Sequence, residues 1–207
     1  MPPPMDTLST EEQRQVVELV QDFFRYQLQK RGIRWSPPGT GRHAGTSADH
    51  LELCLALRSL GDEFLAKYRE NVVSMVTRLE LSDVQVEPAF TAVLDEMFAE
   101  GISWSRLVVA FVFAVEFAYQ LVEKQSADNC IEHTSQWLMN YTALRLVPWV
   151  RTHSGWAGLI QFKEEHANGH AGDDEASIWP FFKNAFCGVA GVALGALALG
   201  AFLTSKS

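Results

Sequence analysis

Residues 107–115 read LVVAFVFAV, nine apolar residues in succession, and charge enters that neighbourhood only through Arg106 before and Glu116 after. A helix that is apolar on all sides must be buried on all sides. The spacing therefore predicts a central helix over Ser103 to Lys124, around which the other elements pack. Few segments elsewhere alternate with a period of two, so the fold class expected is all-α: one hydrophobic helix surrounded by amphipathic ones.

Working outward, Thr7 to Gly32 is expected to be a helix. Ser9 and Glu12 have the spacing of a capping box, in which two orphan amide donors at a helix start are satisfied reciprocally. Val16, Val20, Phe23 and Leu28 follow a 3.6-residue period, and Gly32 is placed to end the helix. Pro37-Pro38-Gly39, Gly41 and Gly45 predict a loop over 36–48. From Ser47 to about Leu81 a second helical stripe runs through Leu53, Leu57, Leu60, Phe64, Tyr68, Val72, Met75 and Leu79. Val86 to Glu100 is a shorter helix, entered through Pro88 and stopped by Gly101. Asp128 to Leu146 is amphipathic, and Pro148 to Glu165 should form one or two short helices separated at Gly155.

The whole chain has 207 residues, 47% of them hydrophobic and 20% charged, with a net charge of −8. That is one globular domain, perhaps with an appendage. Intrinsic disorder is excluded by the apolar content, and a nucleic-acid binder by the lack of a basic stripe. Cys54, Cys130 and Cys187 have no short spacing, which predicts neither a disulfide framework nor a zinc site. No phosphate-binding glycine loop, nucleophile elbow, HExxH or CxxC is present, so no enzyme, metal or cofactor is expected. His166 and His170 have the i, i+4 spacing of metal ligands on a helix. Asn168, Gly169 and Gly172 argue against a helix there, so both are read as part of a solvated linker.

Ala185 to Leu203 is different in kind: 19 uncharged residues, of which four are Gly and the rest apolar. At 1.5 Å per residue such a helix spans about 30 Å of hydrocarbon. Lys183 and Lys206 sit where ammonium groups snorkel to the interfaces, and Trp179, Phe181 and Phe182 suit an aromatic belt. The expected organisation is a helical domain over 1–165, a linker over 166–178 and a C-terminal tail anchor over 179–207, with the globular part facing the cytosol.

Three patches carry further information. Leu53, Leu57, Leu60 and Phe64 are spaced 4, 3 and 4, as in a helix laid into a groove; Gly61 permits close approach of another helix, and Asp62 offers a charge to a cation. Arg106 stands in the first turn of a helix, where the dipole favours anions, and is best placed if it faces a partner carboxylate in a bidentate pair. Trp149 and Trp156 bracket a Ser-Gly turn and suit a packing clamp.

Together, and in this order, these patches resemble the Bcl-2 family of apoptosis regulators. Leu57-Arg58-x-x-Gly61-Asp62-Glu63-Phe64 is similar to the family's third homology motif. Glu96-Met97-Phe98 with Gly101-Ile102-Ser103-Trp104-Ser105-Arg106 resembles the first, and Pro148-Trp149 with Gly155-Trp156 the second. Val20-Gln21-Asp22-Phe23-Phe24-x-Tyr26-x-Leu28, continuing to Gly32 and Trp35, is similar to the fourth. The resemblance implies a Bcl-2-like bundle whose hydrophobic groove binds the amphipathic death-motif helices of pro-apoptotic relatives, as a homo- or heterodimer. One wall would be Phe64, Tyr68, Val72 and Met75. Val93, Met97, Val108, Val109 and Phe113 would form the floor and the opposite wall. Ser103 and Arg106 would stand at the groove, with Arg106 pairing the aspartate of an incoming helix. The chain's own death-motif helix would carry Leu53, Leu57, Leu60, Gly61, Asp62 and Phe64.

The chain departs from the family pattern at Ser103 and Ser105, where Asn and Gly are usual, and at Ser154 and Ala157 around the second motif. The function implied is pro-survival, at the mitochondrial outer membrane and also the endoplasmic reticulum. The alternative is a pore-forming, pro-death member that exposes its own motif helix and self-assembles.

Overall fold

Ser9 opens the first helix as its spacing predicts. Its hydroxyl accepts from the Glu12 amide at 3.2 Å, and the Glu12 carboxylate accepts from the Ser9 amide at 2.8 Å. Helix α1 runs Thr10–Gln29 and ends ahead of Gly32, whose φ of +78° favours glycine. The computed structural model describes residues 8–37, 47–79, 86–125 and 129–167. Within them follow α2 (Ala48–Arg78), α3 (Val86–Met97), α4 (Trp104–Gln125), α5 (Cys130–Tyr141), α6 (Val147–Thr152) and α7 (Ala157–Ala167). No strand occurs among the described residues.

The nine-residue apolar run lies in α4, which is the centre of the bundle. Every residue from Leu107 to Ala118 is at most 3% exposed, Glu116 included. Helices α1, α2, α3 and α5 all pack against it. By length and composition Trp104–Lys124 could cross a membrane, yet it is the core of this fold. Aromatic rings interlock the layers: Phe90 of α3 stacks on Phe113 at 5.6 Å, and Phe23 of α1 meets Phe111 edge-on at 5.8 Å.

Two differences from expectation have local causes. A new helix was expected at Pro148, but the chain stays helical from α5 into α6 through a π-helical turn, Thr142–Leu146. Pro148 has no amide to donate, and its ring would strike the carbonyl four residues back in an ordinary helix. The wider turn ahead of it relieves both problems. At the other end, α7 continues through Ala167, two residues past the expected domain boundary. His166 therefore stands in the last turn of a helix and not in a solvated linker. The rest of the expected linker with His170, the whole tail anchor and Cys187 lie outside the described residues, as does most of the 36–48 loop.

Among the described residues the core holds a charged pair. Arg31, just beyond α1, reaches Glu116 of α4 at 2.6 Å, with the two side chains 9% and 2% exposed. The Arg31 guanidinium also lies 4.8 Å over the Tyr119 ring, and Gln120 donates to Glu116 Oε1 at 3.0 Å. An unpaired charge at this depth would be costly, so each of the two makes the other tolerable.

Candidate functional site

The motif-bearing part of α2 is engaged with α1. Leu53, Leu57 and Leu60 are 6% exposed or less. Gly61 is the point of closest approach: a Cβ there would lie 2.7 Å from the Phe23 ring. Asp62 finds its cation within the chain. It accepts from the Tyr26 hydroxyl at 2.5 Å, Gln27 Nε2 at 2.8 Å and Lys30 Nζ at 2.7 Å, all three from the end of α1. Burial pushes the Asp62 carboxyl up, but these donors outweigh it and hold the group below the usual aspartate range. One turn earlier Arg58 reaches Asp22 through Nε at 2.8 Å and through Nη2, with its guanidinium over the Tyr26 ring. The α1–α2 seam is thus a ladder of charge-assisted bonds laid beside the Gly61–Phe23 contact.

Most residues implied as groove lining are interior. Val72, Met75, Val93, Met97, Val108, Val109 and Phe113 are all 7% exposed or less, whereas Phe64 and Tyr68 are half-buried. An open groove would leave that apolar surface in water at about 25 cal/mol per Å². Here α3 packs on α4, and α7 lies along α2. Between α2, α4 and α7 lies a pocket of about 50 Å³ lined by Leu60, Phe64, Tyr68, Ser105, Val108 and, from α7, Phe162 and His166. His166 Nε2 stands 3.6 Å from Glu63 across it. The sequence reading missed Phe162 and His166, because nothing in their local pattern says which helix they cover.

Arg106 follows Ser105, which lines this pocket. Ser103 accepts from the Arg106 amide at 3.3 Å, and the guanidinium donates to the Gly101 carbonyl at 2.7 Å and to Glu100 Oε2 at 2.9 Å. One arm is therefore held by backbone and the other by a carboxylate whose side chain is 71% exposed, while that of Arg106 is 12% exposed. Gly101, at φ +114°, turns the chain so that its carbonyl faces the arginine. Ser105 is buried, exchanges a 3.0 Å hydrogen bond with Ser103, and lines the pocket.

The tryptophans form the clamp that fixes α7. Trp104 meets Trp149 edge-on at 4.9 Å and lies 6.4 Å from Trp156, while Trp149 stacks on His153 at 4.0 Å. Ser154 and Gly155 both turn with positive φ, which reverses the chain between α6 and α7. Gly158, which the sequence reading did not single out, lets α7 begin against Trp104. A Cβ at 158 would sit 2.6 Å from that indole and 2.4 Å from the His153 carbonyl oxygen.

The family profile described as apoptosis regulator proteins, Bcl-2 family, matches residues 57–156, from within α2 to Trp156 of the tryptophan clamp. Apoptosis regulator R1 of Xenopus laevis is 29% identical across 91% of this chain and 78% of its own length. Bcl-2-like protein 1 of Sus scrofa is 25% identical across 87% of this chain and 96% of its own. Over residues 57–156 the chain is similar to the Bcl-2 family of apoptosis regulator proteins. Its all-helical architecture matches the crystal structure of Trichoplax adhaerens trBcl-2L2 bound to trBak BH3, with a TM-score of 0.65 and 21% identity over 72% of this chain and 97% of that one. The stretch that resembles the fourth motif lies on α1 and the one that resembles the third lies on α2. The likeness to the first runs from the end of α3 into α4, and that to the second covers the α6–α7 corner.

Proposed function

We propose that this chain is a pro-survival member that sequesters the amphipathic death-motif helix of pro-apoptotic relatives on its α2–α4 face, at the mitochondrial outer membrane. The observation that carries the reading is the Arg106 guanidinium. It is oriented by the Gly101 carbonyl, and its second arm rests on an exposed carboxylate that an incoming aspartate can replace. Phe64, Tyr68 and Val108 supply the adjoining apolar pocket for the hydrophobic stripe of such a helix. Occupation requires Phe162 and His166 of α7 to swing off that pocket. The Trichoplax relative, solved with a trBak BH3 segment, supports the same choice of partner.

The pro-survival side is favoured by the state of the chain's own motif helix. Asp62 is bound by three donors and Gly61 is interlocked with Phe23, so the helix is spent on the bundle and not presented. The apolar run over residues 185–203 supports a tail anchor.

The test is titration of a labelled death-motif peptide into the purified protein. Arg106→Glu should abolish binding through like-charge repulsion with the peptide aspartate; unchanged affinity removes the assignment. Liposome permeabilisation by the full chain decides the side. Dye release accompanied by self-oligomerisation would make the chain a pore former instead.

A further inference from the structure

On another face, the first turns of α1 and α2 meet α6 and the start of α7 around an open cleft of about 700 Å³. It shares no lining residue with the pocket under Phe162. Its floor is apolar, built from Leu53, Val150, Trp156 and Ile160. Its rim is acidic. Glu12 is neutralised by Arg151 at 2.5 and 2.6 Å, and Glu11 by Arg14 at 2.6 Å. Asp49 and Glu52 are exposed, with no cation in ion-pair range among the described residues. The cleft does not suit an anion, although two helices begin there. The Ser9 and Ser47 hydroxyls already accept from the first-turn amides of Glu12 and His50, at 3.2 and 3.3 Å.

A second feature of the same cleft is His50, which lines it while only 5% exposed. Its Nε2 is 3.2 Å from Glu18, but its Nδ1 is buried without a hydrogen-bond partner among the described residues. Buried ring nitrogens are ordinarily satisfied, so an unmet one beside an open apolar floor leaves a polar function for a ligand to fill. An apolar floor, an unneutralised acidic rim and a spare imidazole nitrogen are complementary to a helix with a leucine-type stripe flanked by lysine or arginine. The volume lies in the range of sites that bury large apolar side chains.

We propose that this cleft is a second docking site, separate from the α2–α4 face, for a cationic amphipathic helix of a partner protein. The apolar stripe seats on Trp156 and Ile160, and the cations meet Asp49 and Glu52.

Fluorescence anisotropy on the full chain tests this, using a labelled helical peptide of about 15 residues made of leucine and lysine, and a leucine–glutamate peptide as control. The lysine peptide should bind. The Asp49→Lys/Glu52→Lys variant should weaken it about tenfold or more, whereas Glu87→Lys/Glu123→Lys, the same charge change off the cleft, should leave it within about twofold. Ala157→Trp, which fills the cleft without adding charge, should also weaken it. Excess death-motif peptide should not displace it. The proposal is overturned if the two double variants act alike, if the glutamate peptide binds as well, or if the death-motif peptide competes. Should the double variants fail to fold, NMR of the unmodified chain decides: the His50 and Trp156 side-chain signals must shift as lysine peptide is added, and their constancy would exclude the site.

Discussion

Gly61 stands so close to Phe23 that a Cβ on it would lie 2.7 Å from the tip of that ring, and Phe23 cannot retreat. It is fully buried and packed edge-on against Phe111 of the central helix. Gly61→Ala should therefore destabilise the bundle even though alanine is the better helix former. Overpacking of this kind costs about 1–3 kcal/mol, against a propensity gain of about 1 kcal/mol. Urea unfolding should show a net loss, and Phe23→Leu in the same background should recover part of it. A variant as stable as the parent would mean that the contact yields.

Acid should loosen the seams on both flanks of α1. Arg151 hydrogen bonds hold the Glu12 carboxyl at about 2, against an ordinary 4.5, despite the opposing effect of burial. The Asp62 carboxyl is likewise held low. Both groups have folded-state values below their unfolded ones, so the stability they contribute is present above the unfolded value and is lost as pH falls through the folded value. For Glu12 the window runs from about 4.5 down to about 2. Unfolding free energies measured across it should decline with falling pH, and Glu12→Gln should flatten the curve.

The buried pair behaves differently from the surface bonds. Glu116→Leu alone strands the Arg31 charge among apolar residues and should cost about 3–5 kcal/mol. Arg31→Met with Glu116→Leu should cost less than either single change, because no uncompensated charge remains. A double-mutant cycle of denaturation midpoints reads this directly.

Glu100 competes with any partner for Arg106. Its removal in Glu100→Ala should tighten death-motif peptide binding by up to about fivefold, since an exposed ion pair is worth only about 0–1 kcal/mol. Weaker binding would show that Glu100 instead positions the arginine for its partner.

Much of this was legible along the chain. The capping box at Ser9, the all-apolar face of residues 107–115 and the stop at Gly32 are local chemistry, and each helix appears within a few residues of its expected bounds. Asp62 and Arg106 were both expected to meet opposite charges across an interface. In the structure both charges are met inside the chain, by Lys30 and Glu100. The π-helical turn before Pro148 and the tight seat of Gly158 went unread, because a proline or glycine marks a constraint without saying how neighbouring segments answer it.

By itself the sequence determined that the chain is a helical bundle around one buried helix, since periodicity and capping act within a turn or two of chain. Only the tertiary structure decided that the apolar stripe of α2 is spent on α1 and that α3 and α7 close over the α2–α4 face. It alone showed that Arg31 reaches Glu116 and that an acidic cleft opens at the starts of α1 and α2. Periodicity says which face of a helix must leave water. Which partner covers it depends on contacts between residues far apart in the chain, and no local pattern records them.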